Sequence, residues 1–130
     1  NLNVVKEIQG EEQNPNADYT FKVQKKENGQ WKDYDSAGSS GVFTLKKDGS
    51  KNIPLEDTGV YRVAEIDNKG AAAVTWTGDG NEEMDGKQEW QVVTVNDVAE
   101  SYTLFCTNHF IDRSQTTQPY SNKRCRRPEK

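Results

Sequence analysis

The sequence predicts an all-β protein, an immunoglobulin-like antiparallel β-sandwich of about seven to nine strands. Three observations support this fold class. Apolar residues recur with a period of about two rather than 3.6. Clusters rich in Asn, Asp and Gly separate the alternating stretches at short intervals. Valine, with 11 residues against 4 leucines, is the commonest large apolar residue, and β-branched side chains favour pleated, half-buried surfaces.

The alternating stretches predict the strands in chain order. We expect strands within residues 2–8, 19–24, 30–34, 41–45, 60–65, 72–77, 90–95 and 102–110. Asn28 and Gly29 separate the second and third stretches, and this dipeptide is typical of a tight β-hairpin. No stretch shows a convincing apolar stripe at helical spacing, so no helix is predicted.

Charge divides the chain into two parts. Residues 112–130 hold six basic and two acidic side chains, which give a net charge of +4. Because the whole chain has a net charge of −4, residues 1–111 have a net charge of −8. The second part also lacks apolar alternation. We therefore expect one sandwich domain over residues 1–111 and a basic C-terminal extension or linker over 112–130, solvated rather than bound to nucleic acid. No run approaches 18 apolar residues, so no membrane insertion is predicted.

Three polar residues interrupt the inward-facing rows of apolar side chains. Lys6 stands on the first strand, Glu65 on a middle strand and Asn108 on the last strand, each at a position whose parity points into the core. Lysine and glutamate are almost never fully buried unless they are paired, and an isolated buried charge is costly. An amine, a carboxyl and a carboxamide that all face inward are therefore a candidate reactive set.

Burial predicts the chemistry of this set. A desolvated lysine loses its proton more easily, and a desolvated glutamate holds its proton more tightly. Neutral Lys6 could then attack the carboxamide carbon of Asn108 and expel ammonia, while Glu65 moves the protons as general acid and base. Two simpler interpretations stay open: Lys6 could extend its ammonium into water, or it could form a noncovalent pair with Glu65.

Short motifs around these residues resemble one known family. Lys6–Gly10 resembles its lysine-bearing first strand, Tyr61–Glu65 its Tyr-x-Val-x-Glu strand and Phe105–Asn108 its final Phe-Thr-Asn strand. The segments Gly41–Leu45 and Leu55–Gly59 are also similar to that family. The family is the CnaB-like group of isopeptide-forming domains in Gram-positive pilins and surface adhesins. The motifs occur in the family's order.

The resemblance implies a fold, a site and a function. It implies a CnaB-type sandwich whose first and last strands lie side by side, a covalent bond between Lys6 and Asn108, and Glu65 as the catalytic acid. It implies a stalk or shaft domain of an adhesin or pilus at the cell surface, partnered by neighbouring domains or subunits. No turnover enzyme is predicted beyond the single autocatalytic bond. The alternative is an adhesin domain that binds a host matrix protein or glycan through loops such as 36–41 or 70–87.

The chain departs from the family at one position of the last strand. Cys106 stands where the family usually has a larger apolar residue, commonly Phe. Its parity points inward, which favours a small apolar core role. A Cys106–Cys125 disulfide stays open if the extension folds back in an oxidising compartment.

The remaining polar and aromatic residues give weaker signals. The only histidine, His109, is expected to face outward as a surface residue. The acidic stretch 79–85 lacks the spacing of a calcium loop and is expected to be a solvated loop. The three tryptophans are expected in core packing or at partly exposed sites rather than at a sugar site. We predict no cofactor and no metal.

Overall fold

A computed structural model describes residues 1–12 and 14–111 of the chain. This part of the chain forms ten strands. They are β1 (Leu2–Gln9), β2 (Tyr19–Glu27), β3 (Gln30–Asp33), β4 (Val42–Leu45), β5 (Ser50–Ile53), β6 (Gly59–Asp67), β7 (Ala73–Gly78), β8 (Asn81–Asp85), β9 (Gln88–Val95) and β10 (Tyr102–His109). Two 3₁₀ turns, Asp35–Ala37 and Ser39–Gly41, connect β3 to β4. Within the described residues there is no helix long and apolar enough to cross a membrane.

The strands form two sheets, which confirms the predicted sandwich. The smaller sheet has the order β5-β1-β10-β7, and the larger has the order β3-β2-β6-β9-β8 with β4 also paired to β2. Among the described pairs, only β1 and β10 run parallel, from Leu2 opposite Tyr102 to Gln9 opposite His109. A parallel pair needs a long crossover connection, and strands of the second sheet lie in the chain between β1 and β10.

Two strands were not predicted from the sequence. Only Ile53 of β5 is buried, and every residue of β8 is exposed. Apolar alternation indicates that one face of a strand is buried, so a fully exposed edge strand gives no such pattern. The acidic stretch 79–85 is therefore solvated, as predicted, but the prediction of a loop was wrong for Asn81–Asp85, which form β8 at the sheet edge. The described residues hold no cluster of three or more His, Cys, Asp or Glu suited to a metal ion.

The inward rows of the two sheets form one core. Its fully buried side chains include Leu2, Val4, Tyr19, Phe21, Val23, Tyr61, Val63 and Leu104. The ring of Phe21 stacks on Phe43 at 5.3 Å between centroids and meets Trp76 edge-on at 6.2 Å.

The hairpin between β2 and β3 is confirmed, with φ of 52° at Asn28 and 79° at Gly29. Both values suit the two-residue turn that this dipeptide favours.

Arg62 lies on the opposite face of β6, where the alternation predicts an outward side chain. It faces away from the core but is only 5% exposed. Its guanidinium lies between two indole rings, 4.3 Å from the centroid of Trp31 and 3.9 Å from that of Trp90. Nε and Nη2 both donate to Gln24 Oε1, and Nη1 donates to Asp85 Oδ2 at 2.9 Å. Two of the three tryptophans thus clamp an arginine on the outer face of the larger sheet.

We expect Arg62→Ala to lower the free energy of unfolding by about 2–3 kcal/mol. The substitution removes stacking on two rings and charge-assisted hydrogen bonds in a desolvated position. Urea unfolding at neutral pH measures the loss. Lys22→Ala is the matched control, because its ion pair with Asp33 is partly exposed and contributes little to stability. Equal losses in the two variants would contradict a structural role for the clamp.

Candidate functional site

Strand pairing brings the predicted amine and carboxamide together. Lys6 on β1 is opposite Cys106 on β10, and Asn108 follows two residues later on the same inward face. Glu65 approaches from β6 in the other sheet. Lys6 and Asn108 are fully buried, and the Glu65 side chain is 2% exposed. The parity argument from the sequence therefore placed all three side chains on the correct side of their strands.

The three side chains are in direct contact. Lys6 Nζ donates a hydrogen bond to Asn108 Oδ1 and lies 3.3 Å from Glu65 Oε2. It also approaches the backbone carbonyl oxygens of Glu7 and Cys106, at 3.3 and 3.4 Å. The Lys6 amine thus contacts both the Asn108 carboxamide, which it could attack, and the Glu65 carboxyl, which could accept its proton. A lysine that extends its ammonium into water is excluded by this placement.

The carboxyl of Glu65 is in an unfavourable place for a negative charge. Burial raises the pKa of Glu65, and the positive charge of Lys6 acts in the opposite direction without cancelling the rise. Among the described residues, neither carboxyl oxygen has a hydrogen-bond partner of acceptable geometry, so the contact with Lys6 is an ion pair by distance only. A proton on Glu65 relieves the cost of a buried carboxylate whose oxygens accept no hydrogen bond among the described residues.

Asn68 is a contributor that the sequence did not reveal. Its backbone carbonyl accepts a hydrogen bond of 3.2 Å from Asn108 Nδ2. This contact fixes the amide so that its oxygen faces Lys6 and its nitrogen faces away. A cavity of about 190 Å³ is lined by Glu65, by Asn68 and by exposed Lys87, among other residues. The amide nitrogen therefore faces a residue that lines a route to solvent.

Two further core groups enclose the Lys6 amine. The ring of Tyr19 lies 4.7 Å from Nζ, and Cys106 Sγ lies 3.8 Å from it. Cys106 is fully buried, which confirms its predicted inward position. Its predicted alternative partner, Cys125, lies outside the described residues. These groups fill the space around the amine, and Lys6 is fully buried.

His109 is not part of the set. It is half-buried, points away from Asn108, and its Nε2 forms a hydrogen bond of 2.9 Å with Thr75 Oγ1. This agrees with the outward position that alternation predicts. The third tryptophan, Trp76, packs on the core through Phe21 and also lines the cavity beside Glu65.

The fold and the site together define a class of protein domain. The molecule is a two-sheet β-sandwich in which the first and last strands pair side by side, with a buried lysine, glutamate and asparagine beneath that pair. This is the fold of pilin and adhesin domains from Gram-positive bacteria, as the motif resemblance implied.

Comparison with solved structures supports this assignment of the fold. A bacterial adhesin from Mobiluncus mulieris, described as containing intramolecular disulfide, isopeptide and ester bond cross-links, matches with a TM-score of 0.54, 21% identity and 85% of this chain covered. The pilus-presented adhesin Spy0125 (Cpa) matches with a TM-score of 0.55 and 18% identity over 83% of this chain. An N168A mutant of the major pilin from Streptococcus pyogenes matches with a TM-score of 0.50 and 21% identity over 84% of this chain.

The likeness is one of fold over part of each longer chain. This chain spans 41% of the Mobiluncus adhesin structure, 27% of the Spy0125 structure and 47% of the major pilin structure. No family model and no curated protein matches the chain by sequence. What the chain does is therefore argued from its own site.

Proposed function

We propose that the chain is a structural domain, a stalk or shaft module of a bacterial cell-surface adhesin or pilus, stabilised by a self-formed isopeptide bond between Lys6 and Asn108. The observation that supports it most directly is the contact of a buried amine with a buried carboxamide on the neighbouring strand. A buried carboxyl, 3.3 Å from the amine, supplies the third group that the reaction needs. The extracellular location and the association with neighbouring domains or subunits belong to the same proposal.

The proposed reaction needs no reactant beyond the side chains of Lys6, Glu65 and Asn108. The proton of the Lys6 ammonium passes to Glu65, and the neutral amine attacks Cγ of Asn108. The acid form of Glu65 gives its proton to Oδ1 as the carbonyl bond opens, and the resulting carboxylate takes a second proton from Nζ and passes it to the departing nitrogen. As the carbonyl forms again, Oδ1 returns its proton to Glu65. The Nζ–Cγ bond forms, the Cγ–Nδ2 bond breaks and one ammonia leaves toward Asn68. Because the fold holds the reactants in contact, effective molarities of about 10⁵ M or more become available.

The proposed bond has a mechanical consequence. It would close a loop of 102 residues between two strands that already lie parallel. Force that entered through β1 would leave through β10 by way of a covalent link, and the other strands would stay out of the load path. The chain has only 23 Leu, Ile, Val and Phe residues among its 130, so its apolar core is small, and a covalent link would offset that weakness.

Intact mass under denaturing conditions tests the proposal. We expect the wild-type chain to be lighter than its sequence mass by about 17 Da, the ammonia released when the amine displaces the amide nitrogen. Lys6→Ala, Glu65→Ala and Asn108→Ala should each show their full sequence mass. Gln91→Ala is the matched control, because it removes a buried carboxamide outside the set and should keep the deficit. A wild-type chain at its full mass would refute the bond.

The alternative, ligand binding through loops, has less support. Residues 36–41 form parts of two short 3₁₀ turns, and most of the stretch 70–87 forms β7 and β8 rather than a long loop. A host ligand would therefore meet sheet edges and tight turns. Saturable binding lost on grafting of these segments, with the mass deficit retained, would add this function to the structural one.

A further inference from the structure

The thiol of Cys106 touches the atoms that the proposed reaction changes. Its Sγ lies 3.6 Å from Asn108 Oδ1, with the geometry of an S–H donor, and 3.8 Å from Lys6 Nζ. Cys106 and Asn108 are two residues apart on β10, so both side chains point into the same face. Cys106 is fully buried, and the nearby Glu65 carboxyl is also buried and lacks a hydrogen-bond partner among the described residues. The thiol therefore lies inside the reactive set.

We propose that Cys106 is a second catalytic hydrogen-bond donor, which stabilises the negative charge that develops on Asn108 Oδ1 during attack by Lys6. This inference rests on the proposed function, because it assigns a role within the same reaction. The oxygen gains charge only when the carbonyl bond opens, so a donor aimed at it acts on the transition state more than on the starting amide. No proton leaves the sulfur, and no bond forms to it.

The surroundings of the thiol suit a donor rather than a nucleophile. Burial raises the pKa of the Cys106 thiol, and the Glu65 carboxyl raises it further, so the sulfur keeps its hydrogen. A thiol is a weak donor, worth a fraction of an ordinary oxyanion-site hydrogen bond. The expected effect is therefore modest and needs matched variants.

The rate of bond formation in Cys106 variants tests the assignment. The full chain is made by chemical synthesis, kept in guanidinium so that no bond forms, and refolded by dilution with a reductant present. Samples are quenched with acid at timed intervals, and the fraction lighter by one ammonia is measured by mass. We expect Cys106→Ala to react about two- to fivefold more slowly than wild type. Cys106→Ser, similar in size to Ala but with an O–H donor, should react at least as fast as wild type.

A second pair of variants controls for packing. Thr and Val have nearly the same shape, so Cys106→Thr should outpace Cys106→Val if the donor matters. Equal rates for Ala and Ser together with equal rates for Thr and Val would overturn the assignment and leave Cys106 a packing residue. Circular dichroism of each variant checks that folding precedes the reaction. A wild-type chain that never loses ammonia would overturn the proposed function as well, whereas equal rates within each pair would overturn only the role of Cys106.

Discussion

Asn108→Ala is expected to lower the free energy of unfolding by about 4–5 kcal/mol, the stabilisation that the chain-entropy model gives for a crosslink closing a loop of 102 residues. For a domain of this size the melting temperature should fall by about 15–30 °C. The variant removes the carboxamide but retains both Lys6 and Glu65, so neither buried charge is left without its partner. The loss therefore reports the covalent bond rather than the ion pair. Calorimetry at one fixed pH measures it.

The matched control separates the bond from the loss of one buried amide. Gln91→Ala truncates a carboxamide on β9 that is also buried, and a truncation of this kind costs about 1–2 kcal/mol. The proposed crosslink predicts that Asn108→Ala is clearly the more damaging of the two. Similar melting temperatures for these variants would favour the noncovalent interpretation, in which Asn108 is an ordinary buried amide. The sequence left that interpretation open, and it involves the same contacts among Lys6, Glu65 and Asn108.

The double variant Lys6→Met/Glu65→Gln tests the same bond from its other end. Methionine matches the straight stem of lysine without an amine, and glutamine removes the carboxylate that would otherwise stay buried without a partner. We expect its stability to lie close to that of Asn108→Ala, because both variants lack the bond and neither retains an unpaired charge. A double variant as stable as wild type would contradict the crosslink.

Parity explains why the central part of the site could be predicted from the sequence. A strand places alternate side chains on one face, so Lys6, Glu65 and Asn108 could be placed in the core before any contact was known. Their meeting depends on the parallel pairing of β1 with β10, which alternation does not encode and the family resemblance implied. Asn68 lies just after β6 and contributes its backbone carbonyl to the site. No side-chain pattern in the sequence indicates that contact.

The outer face of the larger sheet was harder to predict for a different reason. Arg62 is buried by two tryptophans from β3 and β9, and alternation marks it only as a polar residue opposite the core. β5 and β8 escaped prediction because a strand that buries one side chain or none shows no apolar period. Each miss concerns a residue on the outer face or a strand with at most one side chain in the core, where hydrophobic patterning carries little information about neighbours.

Glu65→Gln is expected to slow bond formation by about 10²–10⁴-fold, the usual contribution of a positioned general acid and base. Glutamine keeps the size and the neutral charge of the protonated carboxyl, so the fold and the contacts of Lys6 and Asn108 should persist. What it lacks is a proton that can be given and taken back. The refolding time course, followed by mass, measures the rate.

Glu89→Gln is the matched control for this variant. Glu89 lines the same cavity as Glu65 from the adjacent strand, but it does not contact Lys6 or Asn108 in the described structure. Its replacement should leave the rate within about twofold of wild type, a change below 0.5 kcal/mol in the barrier. A Glu65→Gln chain that reacts as fast as the Glu89→Gln chain would show that the carboxyl has no part in the chemistry.

The raised pKa of Glu65 also predicts the direction of the pH dependence. Below that pKa Glu65 already holds a proton and cannot accept the one that the amine must lose before it attacks the carboxamide. Above it the carboxylate is free to accept that proton. The rate should therefore fall as the pH drops through a value above the ordinary carboxyl range. In Glu65→Gln this fall in rate at low pH should disappear, because the variant has no carboxyl at position 65 to titrate. If the rate of bond formation in Glu65→Gln fell over the same pH range as in wild type, the titration would belong to another group and Glu65 would have no part in the mechanism.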